Sequence, residues 1–322
     1  MTALGIVVLS LAWLFATPPA QAQSDFPNRP VKIVVPFPAG GPTDVNMRIV
    51  GQKLSELWGQ GVVIENRPGA NTGIGAQMVA KSPADGYTLL AAMDTTLVMN
   101  PATGASMNYD PFKDFAAITL TAKNTSLLTV RASDGPKTIG ELIARAKASD
   151  KKLNYGAGIT ITRLAGATFA KAAGIQVQLI PYKGSSEVVQ GLLTGSVDFI
   201  VDGIAPSLPL INSGQFRPLA KLNNRALPAL PELKPLAEAS GLAIEEMSSW
   251  IGLVAPAGTP PAIVQKIQTD VVRAMADAAV ADRLEKAGIL AVTTTPAEFE
   301  TYFRDEAARW AKVYKESGIT LD

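Results

Sequence analysis

Short apolar runs alternate with amphipathic stretches in the first third of the chain. A β-rich run over residues 31–37 is followed, after a loop with two glycines, by a helical stripe of apolar residues over 43–58. A second strand over 61–65, a helix of small residues over 74–81 and a third strand over 87–92 continue the pattern. Strands that alternate with helices in this way predict an α/β unit with a parallel sheet.

The same alternation returns between residues 138 and 201. Thr138 and Glu141 have the spacing of a capping box, which predicts a helix that runs to about residue 149. A strand-to-helix turn at residues 155–158 follows, and then come a strand, a helix and a strand over 177–181, 188–193 and 197–201. The chain is therefore predicted to hold two α/β units.

The last quarter of the chain is predicted to be mainly helical after one strand over residues 250–256. Residues 261–287 have the pattern of one or two amphipathic helices. Thr295 and Glu298 form a second capping-box pattern, with Pro296 at the favoured first helical position. One apolar stripe of the helix that they open carries Phe299, Tyr302, Phe303, Trp310, Val313 and Tyr314. We expect this stripe to dock on the first α/β unit rather than to bind a ligand.

An apolar run of thirteen residues, 4–16, lies near the start of the chain. It is shorter than the roughly 20 residues that span a bilayer, and it has the length of the apolar part of a secretory signal peptide. Ala20-Gln21-Ala22 has the form of a cleavage site, although no Lys or Arg precedes the run. We expect residues 1–22 to be a signal peptide cleaved after Ala22, which places the mature protein in the periplasm. A buried N-terminal helix or a membrane anchor is the alternative.

Composition narrows the chemistry that the 322 residues can perform. The length favours two domains, and 47% hydrophobic with 18% charged residues is typical of a folded chain. A net charge of +1 without a basic run argues against a nucleic-acid partner. The absence of His and Cys excludes histidine-dependent triads, thiolate nucleophiles, disulfides and sulfur-ligated metals. We expect neither a metal site nor a cofactor, and acid–base chemistry by Asp, Glu, Lys or Tyr remains open.

Four loops follow a predicted strand and precede a predicted helix, where α/β proteins place their ligand sites. In the first, which runs from Phe37 to Asp44, Gly40 and Gly41 allow a tight turn. The helix start that follows offers free N–H groups and the positive end of a helix dipole. This loop is therefore a candidate anion site. The alternative is a turn in which Thr43 or Asp44 caps the helix.

The second and third loops carry hydroxyls and a cation. The second begins at Met93, and its Thr95 and Thr96 can donate to a carboxylate or cap a turn. The third leads into a helix whose first turns carry Arg163. Because a cation there opposes the helix dipole, a guanidinium that faces an acidic ligand would explain its position. A solvent-facing Arg is the alternative.

The fourth loop region combines residues 181–186 with the strand end at 199–203. Ser185 or Ser186 would cap the following helix, and the same helix start could bind an anion. Asp202 is expected to be a helix N-cap in preference to a ligand contact.

Several short motifs occur along the chain in a characteristic order. They are PFPAGGPTD at residues 36–44, ENRPGA at 65–70, DGYTLL at 85–90, YDP at 109–111, LNYG at 153–156, PYKG at 181–184 and APAGTP at 255–260. The ordered set resembles the Bug/TctC family of periplasmic solute-binding proteins of tripartite tricarboxylate transporters. Arg163 and Ala167 depart from the family pattern, which has a His and an acidic residue at those positions.

The resemblance implies a two-domain α/β clamshell of the periplasmic-binding-protein (Venus flytrap) type, with mixed sheets flanked by helices. The first domain would be discontinuous, over residues 23–123 and 250–322, and the second would cover 124–249, with hinge strands near 117–130 and 248–256. A small organic acid would lie in the cleft, one carboxylate held by the loop after the first strand, partly through ordered water. On matching positions the resemblance points to Ala39, Gly40, Asp44, Thr95, Thr96, Tyr182, Lys183, Gly184 and Asp202.

Arg163 bears on the kind of acid bound. Its guanidinium would pair with a second carboxylate, which favours a dicarboxylate over a monocarboxylate and includes aromatic diacids such as terephthalate. Thr160 and Thr162 would add hydroxyl donors, while Phe37 and Met93 would line an apolar middle.

We therefore expect an exported, monomeric solute-binding protein that catalyses no reaction and passes a small carboxylate to integral-membrane permease subunits. A periplasmic sensor subunit that hands its ligand to a signalling receptor is a second interpretation. A cofactor-free enzyme that uses Tyr182 or Lys183 is a third.

Overall fold

The computed structural model describes residues 26–317, so the predicted signal peptide over residues 1–22 lies outside the described residues. Within the described range, the strands form a six-stranded and a five-stranded sheet. The first sheet contains β1 Val31–Val35, β2 Val62–Asn66, β3 Thr88–Met93, β4 Phe115–Asn124, β10 Ser249–Pro256 and β11 Ile289–Ala291. The second contains β5 Ser126–Arg131, β6 Leu153–Ala157, β7 Val177–Pro181, β8 Phe199–Gly203 and β9 Phe216–Lys221.

Both sheets are mixed, as the family resemblance implied. The first has the order β11-β4-β10-β3-β1-β2, in which β1 runs parallel to β2 and β3 while β10 runs antiparallel to β3 and β4. The second has the order β7-β6-β8-β5-β9, in which β6 runs parallel to β7 and β8 while β5 runs antiparallel to β8 and β9. The expected domain bounds stay a prediction, since strand order alone does not define them.

Helices cover the sheets. Those of the first third are α1 Pro42–Trp58, α2 Gly73–Ala80 and α3 Asn100–Ala102, the last of which continues a π-helical turn over Thr95–Met99. The middle of the chain forms α4 Ile139–Ala148, α5 Thr160–Ala173, α6 Ser185–Leu193, α7 Ile204–Asn212 and α8 Leu236–Ser240. The last part forms α9 Pro261–Met275, α10 Ala278–Lys286 and α11 Pro296–Ser317. No helix of the described range has the length and apolar character needed to span a membrane.

Helix α11 returns to the first sheet, which confirms the expected docking of its apolar stripe. It contacts β4 and the π-helical turn, and the side chains of Phe299 and Trp310 are fully buried. The Phe299 ring lies edge-on to Trp250, with ring centroids 5.4 Å apart. Gly252 makes this approach possible, because a Cβ at that position would lie 2.0 Å from Phe299 Cζ.

Both predicted capping boxes form, with one variation. At the start of α11 the Glu298 N–H donates to Thr295 Oγ1 at 3.2 Å, and the Thr295 N–H donates to Glu298 Oε2 at 2.8 Å. At the start of α4 the Glu141 N–H donates to Thr138 Oγ1 at 3.1 Å, but Glu141 Oε2 accepts from the N–H of Lys137, one residue earlier than the standard pattern.

Phe299→Ala should lower the free energy of unfolding by about 3–5 kcal/mol, because it empties the space between α11 and Gly252. Thr301→Ala, on the exposed face of the same helix, is the matched control and should change stability by less than about 0.5 kcal/mol. Urea denaturation followed by circular dichroism measures both. Equal stability of the two variants would contradict the docking of α11 on the first sheet.

Candidate functional site

Loops of the two sheets meet across a cleft. The loop between β1 and α1, residues 36–41, comes from the first sheet and touches residues of the second. Ser186 Oγ donates to the carbonyl oxygen of Ala39 at 3.1 Å. A Cβ at Gly184 would lie 3.0 Å from Pro38 Cδ, so the glycine lets the two loops come together. The site expected from the sequence therefore lies where these loops face each other.

Two spaces that share wall residues lie in the cleft. The outer cavity has a volume of about 490 Å³ and is lined by the β1–α1 loop, residues 68–72, Arg163, Tyr182 and Lys183. A smaller space, called here the inner chamber, has a volume of about 30 Å³ and shares the wall residues Phe37, Pro38 and Ile159 with the outer cavity. Its further walls are Gly41, Pro42, Thr43, Met93, Asn124, Ser126, Gly184, Ser185, Asp202, Gly203 and Ser249.

Asp44 stabilises the conformation of the β1–α1 loop through hydrogen bonds. Gly40 has a left-handed backbone with φ of 82°, and its N–H donates to Asp44 Oδ2 at 3.0 Å. Arg48 Nε and Asn66 Nδ2 donate to the same carboxylate, each at 3.0 Å. Burial raises the pKa of Asp44, but these hydrogen bonds outweigh it and leave the pKa below its usual value. The Gly40 N–H is thus used inside the loop, and Gly41 is the N-cap of α1, so neither Thr43 nor Asp44 caps the helix as the alternative interpretation required.

The loop between β2 and α2 forms a strained wall of the outer cavity. Ala70, Asn71 and Thr72 all have left-handed backbones, with φ of 47°, 47° and 76°. Such conformations cost about 1–3 kcal/mol each in a non-glycine residue. Asn100 supports the loop, since its Nδ2 donates to the Asn71 carbonyl at 2.8 Å. Asn71 Nδ2 in turn donates to Thr160 Oγ1 at 3.0 Å and so reaches α5 across the cleft.

The loop after β3 anchors strand β10 and lines neither the outer cavity nor the inner chamber. Asp94 Oδ2 accepts from the Trp250 N–H at 3.2 Å, and the Thr95 hydroxyl donates to Asp94 Oδ1 at 3.2 Å. Burial raises the pKa of Asp94 to about 6, against the hydrogen bonds that it accepts. Thr96 Oγ1 is buried without a hydrogen-bond partner among the described residues. The expected ligand contacts through Thr95 and Thr96 are not what this arrangement shows.

Arg163 lies on the wall of the outer cavity and does not project into open solvent, which corrects the alternative left open from the sequence. Its Nη2 donates to the Tyr182 carbonyl at 3.2 Å, and its Nε is buried without a partner. Burial lowers the pKa of this guanidinium, and no carboxylate among the described residues contributes to it. The cavity therefore contains a half-buried cation that the protein leaves without a counter-charge.

The hydroxyls of Thr160 and Thr162 both form hydrogen bonds within the protein. Thr160 Oγ1 accepts from Asn71, and Thr162 Oγ1 donates to the Ile159 carbonyl at 2.9 Å in the first turn of α5. The hydroxyl hydrogen of Thr162 is thus used within the helix, whereas Thr160 keeps its hydrogen and its expected donation to a ligand stays a prediction. Tyr182 packs its ring over Gly191, where a Cβ would lie 2.2 Å from Tyr182 Oη.

The expected caps at the fourth site do not form. Gly184 is the N-cap of α6, and Ser185 Oγ donates to Asp202 Oδ1 at 2.8 Å. Asp202 itself caps no helix, because Gly203 is the N-cap of α7. The buried carboxyl instead faces the inner chamber, and burial raises its pKa to about 7 against the hydrogen bonds from Ser185 and the Gly203 N–H.

Asn124 was missed by the sequence analysis. Its side chain is buried, lines the inner chamber and has no hydrogen-bond partner among the described residues at either amide atom. It lies within residues 117–130, which were predicted only to form a hinge strand. Asn71 was missed as well, although Pro68-Gly69 at the start of its loop signals a turn.

The structure thus separates the expected site residues into two groups. Those that line the outer cavity or the inner chamber are Phe37, Gly41, Met93, Arg163, Tyr182, Lys183, Gly184 and Asp202. Those that do not line either space are Ala39, Gly40, Asp44, Thr95, Thr96, Thr160 and Thr162. Within residues 26–317 no cluster of acidic residues could hold a metal ion.

Comparison with known proteins agrees with this architecture. Residues 46–319 match the model of the tripartite tricarboxylate transporter family receptor, TctC. Protein BugT of Bordetella pertussis is 30% identical over 321 residues, which cover 99% of this chain and 98% of BugT.

Two solved structures from Rhodopseudomonas palustris contain a ligand. Rpa4515 with adipate is 34% identical with a TM-score of 0.87, and the match covers 92% of this chain and 99% of that one. MatC (Rpa3494) with bound malate is 29% identical with a TM-score of 0.83, and the match covers 89% of this chain and 99% of that one.

Two buried carboxyl groups, Asp202 in the inner chamber and Asp94 beside β10, predict a pH dependence of stability. The pKa values of about 7 for Asp202 and about 6 for Asp94 lie above the ordinary value of 3.8. At pH values between the ordinary and the raised pKa, the folded protein therefore binds more protons than the unfolded chain. The free energy of unfolding of the ligand-free protein should therefore fall as the pH rises from about 4 to about 7, and then level off.

Asp202→Asn should flatten the upper part of that decline, between about pH 6 and pH 8. Asp134→Asn is the control, because hydrogen bonding to Arg131 lowers the pKa of Asp134 to about 2, far outside this range. Urea denaturation at a series of pH values measures the slopes. An unchanged slope in Asp202→Asn would show that this carboxyl does not titrate there.

Proposed function

Since this chain belongs to the tripartite tricarboxylate transporter receptor family, TctC, whose members are periplasmic binding proteins, we propose that it captures a small dicarboxylate in the cleft and delivers it to the membrane permease of such a transporter. The family is one of solute-binding receptors and not of enzymes. Adipate and malate, the acids in the two Rhodopseudomonas structures, are both dicarboxylates and support this class of ligand.

The unpaired guanidinium of Arg163 carries the proposal. A buried or half-buried charge without a partner is costly, and the cavity wall offers it no carboxylate. A ligand carboxylate that forms paired hydrogen bonds with the guanidinium would remove that cost. This places one acidic end of the ligand beside Arg163.

The other acidic end lies at two helix starts, one from each side of the cleft. Gly41 and Thr43 begin α1, and Gly184 begins α6, where N–H groups lack intrahelical partners and the helix dipoles are positive. The Gly40 N–H is occupied by Asp44, so the first turn of each helix takes over the role expected of Gly40. Phe37 and Met93 supply apolar surface next to these helix starts.

Closure of the cleft around the ligand depends on glycines at the contact between the two sheets. A Cβ at Gly184 would lie 3.0 Å from Pro38 Cδ, and one at Gly203 would lie 3.0 Å from Pro42 Cγ. At both distances an added methyl group would force the facing proline ring to shift by a few tenths of an ångström. Because Gly184 and Gly203 carry no side chain, their backbones can come close to Pro38 and Pro42 and enclose the ligand.

Gly184→Ala should weaken diacid binding by about 1–3 kcal/mol, because the added methyl group obstructs full closure against Pro38. The backbone of Gly184 is extended, with φ of 175°, so the substitution adds no conformational strain. Gly140→Ala, on an open helical position, is the control and should bind normally. Calorimetric titration with adipate measures both, and equal affinities would contradict closure at Gly184.

Arg163→Ala should weaken the binding of a diacid by about 2–5 kcal/mol and that of the matching monoacid much less, because only the diacid loses a charge partner. Lys183→Ala removes an exposed cation from the same cavity wall and should have a smaller effect. A thermal-shift screen of mono- and dicarboxylates, terephthalate included, selects the pair for calorimetry. Equal losses for both acids would refute the role of Arg163 as a carboxylate partner.

A further inference from the structure

Side-chain hydrogen bonds join the two walls of the cleft at two places among the described residues. Ser186 Oγ donates to the Ala39 carbonyl at 3.1 Å. Asn71 Nδ2 donates to Thr160 Oγ1 at 3.0 Å. Ser186 is exposed, so water competes for its hydroxyl, whereas Thr160 is only 5% exposed at the start of α5. The hydrogen bond between Asn71 and Thr160, called here the closure contact, is therefore the better shielded of the two.

A chain of hydrogen bonds fixes the direction of the Asn71 amide. The Tyr109 hydroxyl donates to the Thr96 carbonyl at 2.7 Å, so its oxygen accepts from Asn100 Nδ2 at 3.1 Å. Asn100 Oδ1 then faces Asn71 Nδ2 at 2.5 Å and accepts one of its two hydrogens. The other hydrogen is left for Thr160 across the cleft.

The backbone of the β2–α2 loop places this amide at a cost in free energy. Ala70, Asn71 and Thr72 all have left-handed backbones, which asparagine tolerates better than most residues with a Cβ and a β-branched threonine rarely adopts. Asn100 stabilises the loop, since its Nδ2 also donates to the Asn71 carbonyl at 2.8 Å. Strained conformations persist where the surrounding contacts require them, and this one directs the Asn71 amide at α5.

The closure contact lies beside the outer cavity. Asn71 lines this cavity together with Arg163, and Thr160 is the first residue of the helix that carries Arg163. The contact therefore joins a loop on one wall to the helix that presents the proposed carboxylate partner on the other. Separation of the walls must break it before a bound acid can leave through the opened cleft.

We propose that Asn71 is a positioning residue for closure, whose hydrogen bond to Thr160 Oγ1 keeps the cleft closed and slows the release of the bound acid. The inference rests on the proposed function, because it concerns the release of an acid that the cleft binds. It assigns Asn71 no contact with that acid. Because the contact forms only after the acid has entered, its loss affects the dissociation rate and leaves the association rate nearly unchanged.

Energy transfer between two dyes on the mature protein measures both rates. The chain contains no cysteine, so introduced cysteines are the only sites of labelling. Lys81→Cys and Ala172→Cys are at exposed positions near the ends of α2 and α5, one on each side of the cleft. After rapid mixing with adipate, or with malate as a second probe, the closing rate is recorded at several acid concentrations. Its slope gives the association rate constant and its intercept the dissociation rate constant.

Asn71→Ala removes the amide and keeps a Cβ in the strained loop. Adipate should leave this variant about 3- to 10-fold faster, because one partly shielded hydrogen bond is lost. The association rate constant should change by less than about twofold. Asn212→Ala, at an exposed position of α7, is the matched control and should leave both rate constants unchanged.

Two further variants separate the hydrogen bond from the conformation of the loop. Asn71→Gly relieves the left-handed strain and also lacks the amide, so it should stay folded by circular dichroism and still release adipate faster. Thr160→Val removes the accepting oxygen. Asn71→Ala combined with Thr160→Val should release adipate no faster than the faster of the two single variants, since both remove the same contact.

The outcomes separate this inference from the proposed function. A native dissociation rate in Asn71→Ala or in Asn71→Gly would overturn the inference alone, and in the second case would assign the effect to the loop conformation. Additive effects of Asn71→Ala and Thr160→Val would also overturn it, in favour of a direct contact between Thr160 and the acid. Failure of adipate, malate and every other dicarboxylate to bind the native protein would overturn the proposed function and the inference together.

Discussion

The passage of the chain from one sheet to the other at Thr125 is the constraint on which the rest of the structure depends. Strand β4 ends at Asn124 and β5 begins at Ser126, so one residue separates the two sheets. Its carbonyl accepts from the Ile204 N–H and its hydroxyl from Asn223, each at 3.1 Å. Because the crossing is short and is held at both its carbonyl and its hydroxyl by residues next to the second sheet, the loops that follow the strands of each sheet are brought to face each other.

Hydrogen bonding distinguishes the polar groups that shape the cleft from those that remain available in it. Asp44 and Asn100 each have several partners and hold loops in position. Arg163, Asn124 and Asp202 are equally part of the walls, yet each keeps an atom without a partner. Buried polar groups are normally satisfied within a protein, so under the proposed function these wall atoms are the ones left for a ligand to satisfy.

Local signals in the sequence predicted the elements well, and tertiary contacts account for what they did not predict. The capping box at Thr295 and the stripe through Phe299 and Trp310 depend on neighbours along one helix, and both are confirmed. The hydroxyl of Ser185 and the carboxyl of Asp202 bond to each other across seventeen positions, so their expected capping roles were wrong. The family resemblance predicted the clamshell fold, but it could not show which loop residues face the cavity.

The return of α11 to the first sheet has a consequence for the order in which the protein can fold. The five-stranded sheet uses one continuous stretch that ends with β9 at Lys221, whereas the six-stranded sheet needs β10 and β11 between residues 249 and 291, and its core is closed by α11. When the chain becomes available from its N-terminus onward, β1 to β3 are exposed before their antiparallel partner β10. The five-stranded sheet can thus be complete while β3 in the other sheet still has an unpaired strand edge, to which a chaperone can bind.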